Sequence, residues 1–221
     1  MPSAPDCESR PLRADAASNR ERIVAAARHV FGRDGVDAPM TAVASEAGVG
    51  IATVYRRFPE RDGLVTGAFA EALAEHEASI TTALAANNPW EGFAGLLQRM
   101  GEIEARNRGF THLMQSAALP LRGEGGIHDR SHRGIDEVVR RARVAGVVRD
   151  DLTPEDVALL SFALAGILET TRDDVPEAWR RHLALVLDGC RPGSTTPLPP
   201  PSEPRLLQRA MIRSARRRQT R

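Results

Sequence analysis

The chain has no lysine: all 30 of its basic residues are arginine. Codon bias in a GC-rich genome accounts for this more simply than selection for guanidinium. Cysteine is almost as scarce, and Cys7 and Cys190 lie far apart without a partner motif. That spacing argues against a disulfide framework or a zinc site and fits a reducing compartment. Aromatic residues are few (six Phe, two Trp, one Tyr), and strand-like alternation is missing. Ala, Leu, Glu and Arg abound instead, so the composition favours helix. No apolar run approaches the ~18 residues of a membrane span, and the first thirty residues hold no apolar targeting core. The chain therefore reads as soluble and cytoplasmic, without a membrane partner. No Gly-rich phosphate loop, Gly-x-Ser-x-Gly elbow or Cys-x-x-Cys occurs. The pairs Asp150–Asp151, Glu155–Asp156 and Asp173–Asp174 fit helix caps and surface. The expectation is a non-enzyme with no catalytic residue, cofactor or metal.

What is present is strongly segregated charge. The net charge is +1, but residues 1–64 balance nine Arg against nine acids. Residues 65–190 carry thirteen Arg against nineteen acids, and residues 191–221 carry eight Arg against one. Each segment needs its own reading.

Residues 1–18, with Pro2, Pro5 and Pro11, read as a disordered arm. Ile23, Ala26, Ala27, Val30 and Phe31 then form one apolar helical stripe that stops before Gly35. A short helix is expected from Thr41 to Gly48, another from Ile51 to Phe58. A further helix opens at Pro59, and its i, i+4 stripe (Leu64, Ala68, Ala72, His76, Ile80, Leu84) predicts one long element. Asn88-Pro89-Trp90-Glu91 and Thr153-Pro154-Glu155-Asp156 are helix starts, and Pro176 opens the last helix. The fold class is all-α. The expected domains are a helix-turn-helix over 19–66 and a helical domain over 67–191. Residues 192–221 form a Pro-rich, Arg-rich tail, either disordered or a non-specific DNA arm.

The stretch from Thr41 to Leu64 carries the functional signal. Two short helices meet at a turn containing Gly48, with Val43, Ala44, Ala47, Val49, Val54 and Phe58 as a shared core. That leaves Ala52, Thr53, Arg56 and Arg57 facing outward. Small residues let the backbone approach a groove floor, Thr53 can meet a base, and arginines fit guanine edges or phosphates. Tyr55 can offer its hydroxyl to phosphate, and Thr41 and Arg61 sit at helix starts that favour phosphate.

Ala27, Phe31, Gly35, Thr41, Ala47, Gly48, Val49, Thr53, Val54, Tyr55, Phe58, Pro59 and Leu64 stand in the order seen in the TetR repressors. The chain resembles that family over about residues 19–66. Gly50 stands where members often have Ser, Ile51 where many have a polar residue, and Arg61 where Lys is usual. The resemblance implies phosphate contacts from Thr41, Tyr55 and Arg61 and groove contacts around Ala52, Thr53, Arg56 and Arg57. It also implies a homodimer on double-stranded operator DNA and an unidentified small-molecule effector that releases a palindromic site.

Beyond residue 66 the expectations rest on helix patterns. Phe93, Met100, Phe110, Met114 and Phe162 are candidate apolar walls of a ligand pocket, with His112 and Gln115 as polar points. Plain core is the simpler reading for any one of them. Leu160, Leu164, Trp179, Leu183 and Val186 are candidates for a dimer face built by the last two helices, or for intramolecular core. His128, His132 and Asp136 share i, i+4 spacing that suits a metal, but neighbouring Arg130 and Arg133 favour a solvated polar face. Three rival readings are a helical enzyme, a module for a protein partner, and an activator.

Overall fold

The computed structural model describes residues 9–115, 126–193, 196–203, 205–207, 209–210 and 213, with side chains from Ser18 onward except those of His112 and Gln115. No strand occurs among these residues. The chain divides into two units after Ala68.

The first unit holds α1 (Ser9–Asp34), α2 (Met40–Ala47), α3 (Ile51–Arg57) and α4 (Arg61–Ala68). Its α1 begins ten residues earlier than the expected arm allowed. Pro11 falls in its first turn, where a missing N–H breaks no helical bond, and Ala14, Ala16 and Ala17 carry the helix onward. The stripe Ile23, Ala27, Val30 and Phe31 is fully buried, together with Val43, Val54 and Leu64. α1 packs on both α2 and α4, so it forms the spine of this unit. Gly35 ends α1 at φ 89°, a left-handed position that suits glycine.

The second unit contains α5 (Ala70–Ala85), α6 (Pro89–Arg106), α7 (Phe110–Gln115), α8 (Ile127–Val144), α9 (Pro154–Thr171) and α10 (Ala178–Gly189). The single long helix expected from Pro59 is therefore two. It is interrupted at Phe69, whose ring is 1% exposed and whose backbone (φ −112°, ψ 14°) leaves the helical range. Periodicity continues through such a break because the side chains on either side still face apolar surroundings. Asn88 caps α6 by accepting from the Trp90 N–H at 2.9 Å. The Asp156 carboxylate accepts from the Thr153 N–H at 2.8 Å, closing the start of α9.

The core of this unit is built on α6. Leu96, Leu97 and Phe93 meet Val138, Val139 and Ala142 of α8, Leu164 and Leu168 of α9, and Trp179 and Leu183 of α10. Trp179 is 0% exposed, the largest fully buried side chain. Its ring occupies the space beside Gly101, where an added Cβ would lie 2.3 Å from Cζ3. The expected dimer residues Trp179, Leu183 and Leu164 are thus interior to their own chain, at 0%, 3% and 2% exposure, and offer a partner nothing. Phe93, expected on a pocket wall, is also core, with its ring 6.1 Å from that of Trp90.

Gly101→Ala is expected to destabilise the fold by about 1–3 kcal/mol, because the new methyl overpacks against the indole. Gly166, in the middle of α9, meets nothing within 4 Å, so Gly166→Ala should instead be neutral or stabilising by up to about 1 kcal/mol. Urea denaturation of both variants checks the opposite signs.

Candidate nucleic-acid interface and cavity

α2 and α3 are joined by a turn that Gly48 makes possible, at φ 64° and ψ 36°. Its N–H and that of Val49 return to Ser45 O and Ala44 O at 3.1 and 3.0 Å, closing α2. Arg22 of α1 donates to Ala47 O at 2.7 Å, tying the turn to the spine. The Gly50 carbonyl accepts from the Thr53 N–H at 2.8 Å and begins α3. Val54 is fully buried and Phe58 nearly so, which fixes how α3 is rotated. Ala52, Arg56 and Arg57 then lie exposed, Thr53 half-buried, and Tyr55 51% exposed. Neither Arg56 nor Arg57 has an ion pair or hydrogen bond among the described residues. Thr41 is exposed in the first turn of α2, which starts at Met40 rather than at Thr41 itself.

Arg61 has a different place from the one its position at a helix start implied. Its guanidinium donates to Val36 O at 2.8 Å and also to Ala38 O, and it lies 5.7 Å from the Phe31 ring centroid. Those carbonyls belong to the loop after α1, so Arg61 holds that loop in place. Nη1 takes no part in these bonds.

Within the second unit, α5 to α9 surround a cavity of about 250 Å³. Met100, Phe110, Met114 and Phe162 border it, as does Leu164, which had been expected at a dimer face. The side chains of His112 and Gln115 lie outside the described residues. His128 and His132 border the cavity on α8, and among the described residues no three metal-ligating side chains gather.

Two polar residues escaped the sequence reading. His76 is 3% exposed, and its Nε2 lies 3.1 Å from Ser131 Oγ while Nδ1 has no partner. Burial holds its pKa down at about 4, so the ring is neutral at physiological pH. Glu104 is buried too, and burial raises its pKa, against the hydrogen bonds from Thr111. Its Oε2 accepts from the Thr111 N–H and Oγ1, both at 2.7 Å. The signal for each was present: His76 stands in the α5 stripe, and Glu104 continues the α6 stripe four residues past Met100. A titratable side chain on an apolar face marks a cavity or a buried network.

A glycine turn between two short helices, with small residues and unpaired arginines exposed on the second, is a helix-turn-helix of the DNA-binding kind. Comparison agrees. Residues 23–68 match the family model for bacterial regulatory proteins of the TetR family. Residues 88–192 match that for the C-terminal domain of SbtR-like transcriptional regulators. A TetR transcriptional regulator of Streptomyces coelicolor is 32% identical, over 79% of this chain and 99% of that one, with a TM-score of 0.49. A mutant HlyIIR protein (16% identical, 82% of this chain and all of that one, TM-score 0.61) shows the same fold. So does a γ-butyrolactone receptor (16% identical, 93% and 98% covered, TM-score 0.58). No curated protein matched. The chain belongs to the TetR family and is a DNA-binding transcriptional regulator.

The buried neutral His76 makes a pH prediction. Its folded pKa lies below the ordinary 6.5, so the unfolded chain takes up the proton first and stability falls as pH drops through that window. Between pH 7 and pH 5 this residue alone should cost about 2 kcal/mol. Glu104, shifted the other way, works against that trend at lower pH. His76→Gln should remove the His76 portion, which urea titrations of both proteins at pH 7 and pH 5 will measure.

Proposed function

We propose that this regulator is a repressor that binds a near-palindromic operator as a homodimer and leaves it when a small molecule enters the cavity of the second unit. The observation that carries the DNA half is the α3 face. The side chains of Thr53, Arg56 and Arg57 stand beside Ala52 and Tyr55 without partners among the described residues, on a helix whose rotation Val54 fixes. Two copies of α3, in successive major grooves about 34–36 Å apart, read bases through Thr53, Arg56 and Arg57. Thr41 and Tyr55 hold phosphates.

The dimer face moves from the buried residues to their neighbours. Leu159 of α9 and Leu185 of α10 are 43% and 65% exposed, and Leu160 and Val186 are half-buried. Two such helix pairs make a four-helix bundle. The cavity acts on DNA through α5, which carries His76 and follows α4 with only Phe69 between. A ligand needs only to bind one dimer state better than the other.

Selection from random DNA should recover a site with two half-sites about one helical turn apart, and recovery of no palindrome overturns the dimeric reading. Arg56→Ala is expected to cost about 1–3 kcal/mol of operator affinity while leaving stability unchanged. Arg61→Ala should do the reverse, lowering stability by about 1–3 kcal/mol as two loop carbonyls lose their donor. Gel shifts and urea denaturation on the same two variants separate the roles.

A further inference from the structure

The cavity has a wall that belongs to no helix of the bundle: Arg205 and Leu207, from the C-terminal segment, border it. The segment is built into the unit. Arg149 donates to Thr196 O at 3.0 Å, and the Leu198 N–H donates to Asp151 Oδ2 at 2.9 Å. Asp151 is itself paired with Arg149, and these bonds hold its pKa down at about 2, so the anchor stays ionised across the physiological range. Pro197, Pro199, Pro200 and Pro201 restrict the backbone that follows. Glu203 O then accepts from the Leu206 and Leu207 N–H groups at 3.0 and 2.9 Å, turning the chain at the cavity.

The interior disfavours an anion. Phe110 and Leu164 are buried apolar walls there, and His76 is neutral. Glu104 is a buried carboxylate engaged with Thr111, so an anion placed beside it would stand unpaired in an apolar site. An anionic group on a ligand must therefore sit away from Glu104. Among the described residues the cavity is also bordered by Arg205, Glu155 and the imidazoles of His128 and His132, of which Arg205 alone is a permanent cation. Glu155 lies in the first turn of α9, where the positive end of the helix compensates it. Among the described residues, Arg205 is exposed, has no partner and is the one arginine bordering the cavity. At about 250 Å³ the space falls just below the range typical of drug-sized ligands.

On the reading that this cavity takes the effector, we propose that the ligand is a small amphipathic carboxylate. Its apolar body lies against Met100, Phe110 and Phe162, and its anionic end pairs with Arg205, which the C-terminal segment brings to the outer wall. The tail expected to be disordered, or to touch DNA, is in this part a component of the ligand site.

Octanoate, octanol and octylamine share one chain length and differ in charge, so calorimetric titration of the full-length protein with each reads the preference directly. Octanoate should bind tightest. Arg205→Gln should weaken octanoate about five- to tenfold and leave octanol unchanged, with the thermal midpoint unaltered because the side chain is exposed. Deleting residues 196–221 should weaken octanoate at least as much. Octanol or octylamine binding as tightly as octanoate overturns the proposal, as does an Arg205→Gln variant that keeps full octanoate affinity. Binding of none of the three overturns it as well. A chain that still selects an operator in that last case keeps its role as a regulator and loses only this ligand class.

Discussion

Every α-helix ends with carbonyls that have no N–H left within the helix to accept from, and a chain made of helices must satisfy those ends or expose them to water. Here arginine side chains do much of that work. Arg22 reaches Ala47 O at the end of α2, and Arg28 reaches Ala68 O at the end of α4. Arg141 donates to Leu84 O and Ala86 O at the end of α5, and Arg172 to Ala105 O and Glu104 O at the end of α6. Each pairing joins a helix terminus to a different helix, so one group satisfies a carbonyl and fixes a tertiary contact. A guanidinium suits this because its planar fork can meet two carbonyls at once and keeps its charge at the negative end of the helix dipole. Codon bias remains a sufficient reason for the missing lysine, but the fold makes use of the result.

The second unit depends equally on one close approach. Trp179 sits where a side chain at position 101 would be, and this draws α10 onto the middle of α6. The same stretch of α6 carries Met100 and Glu104 to the cavity on another face. Core and cavity are therefore built on one helix, and a change at Gly101 is transmitted to residues one to three positions away. Gly134 repeats the device on α8, where an added Cβ would lie 2.4 Å from Ile80 Cγ2 of α5. Neither glycine has a positive φ; both are there for space.

What was legible in the sequence follows from the range of the interactions. The helix-turn-helix is local: a glycine turn, a cap and an apolar pattern within about twenty residues fix both the fold and the outward face. Asn88 and Thr153 were legible for the same reason. The break at Phe69 was not, because the apolar stripe runs through it unchanged. Trp179, Leu183 and Leu164 were left open between dimer face and core because apolar residues on the last two helices fit an internal core and a dimer seam equally well. Only the gap left by Gly101, 78 residues earlier, settles that question for the tryptophan. The link from the C-terminal segment to Arg149 and Asp151 was invisible as well, since on the segment's side it uses only the main chain of Thr196 and Leu198, which no side-chain pattern encodes.

Structural arginines differ from functional ones in what surrounds the guanidinium. Arg22, Arg28, Arg61, Arg141 and Arg172 are engaged with carbonyls, so each has a structural part to play. Arg61 is the instructive case, because a position that matches a phosphate contact also ties down the loop after α1. Lack of a partner is not by itself a sign of function: the side chains of Arg108, Arg143 and Arg181 are exposed and also without partners among the described residues. Placement decides. Arg56 and Arg57 project from a short helix held by Val54 beside small residues, and Arg205 stands at the edge of a cavity with no other arginine among its described lining residues. In both places the fold leaves a permanent cation unneutralised among the described residues, at a cost in self-repulsion that an engaged arginine avoids. That arrangement is what the two proposed anion contacts require, with phosphate at α3 and with a carboxylate at Arg205.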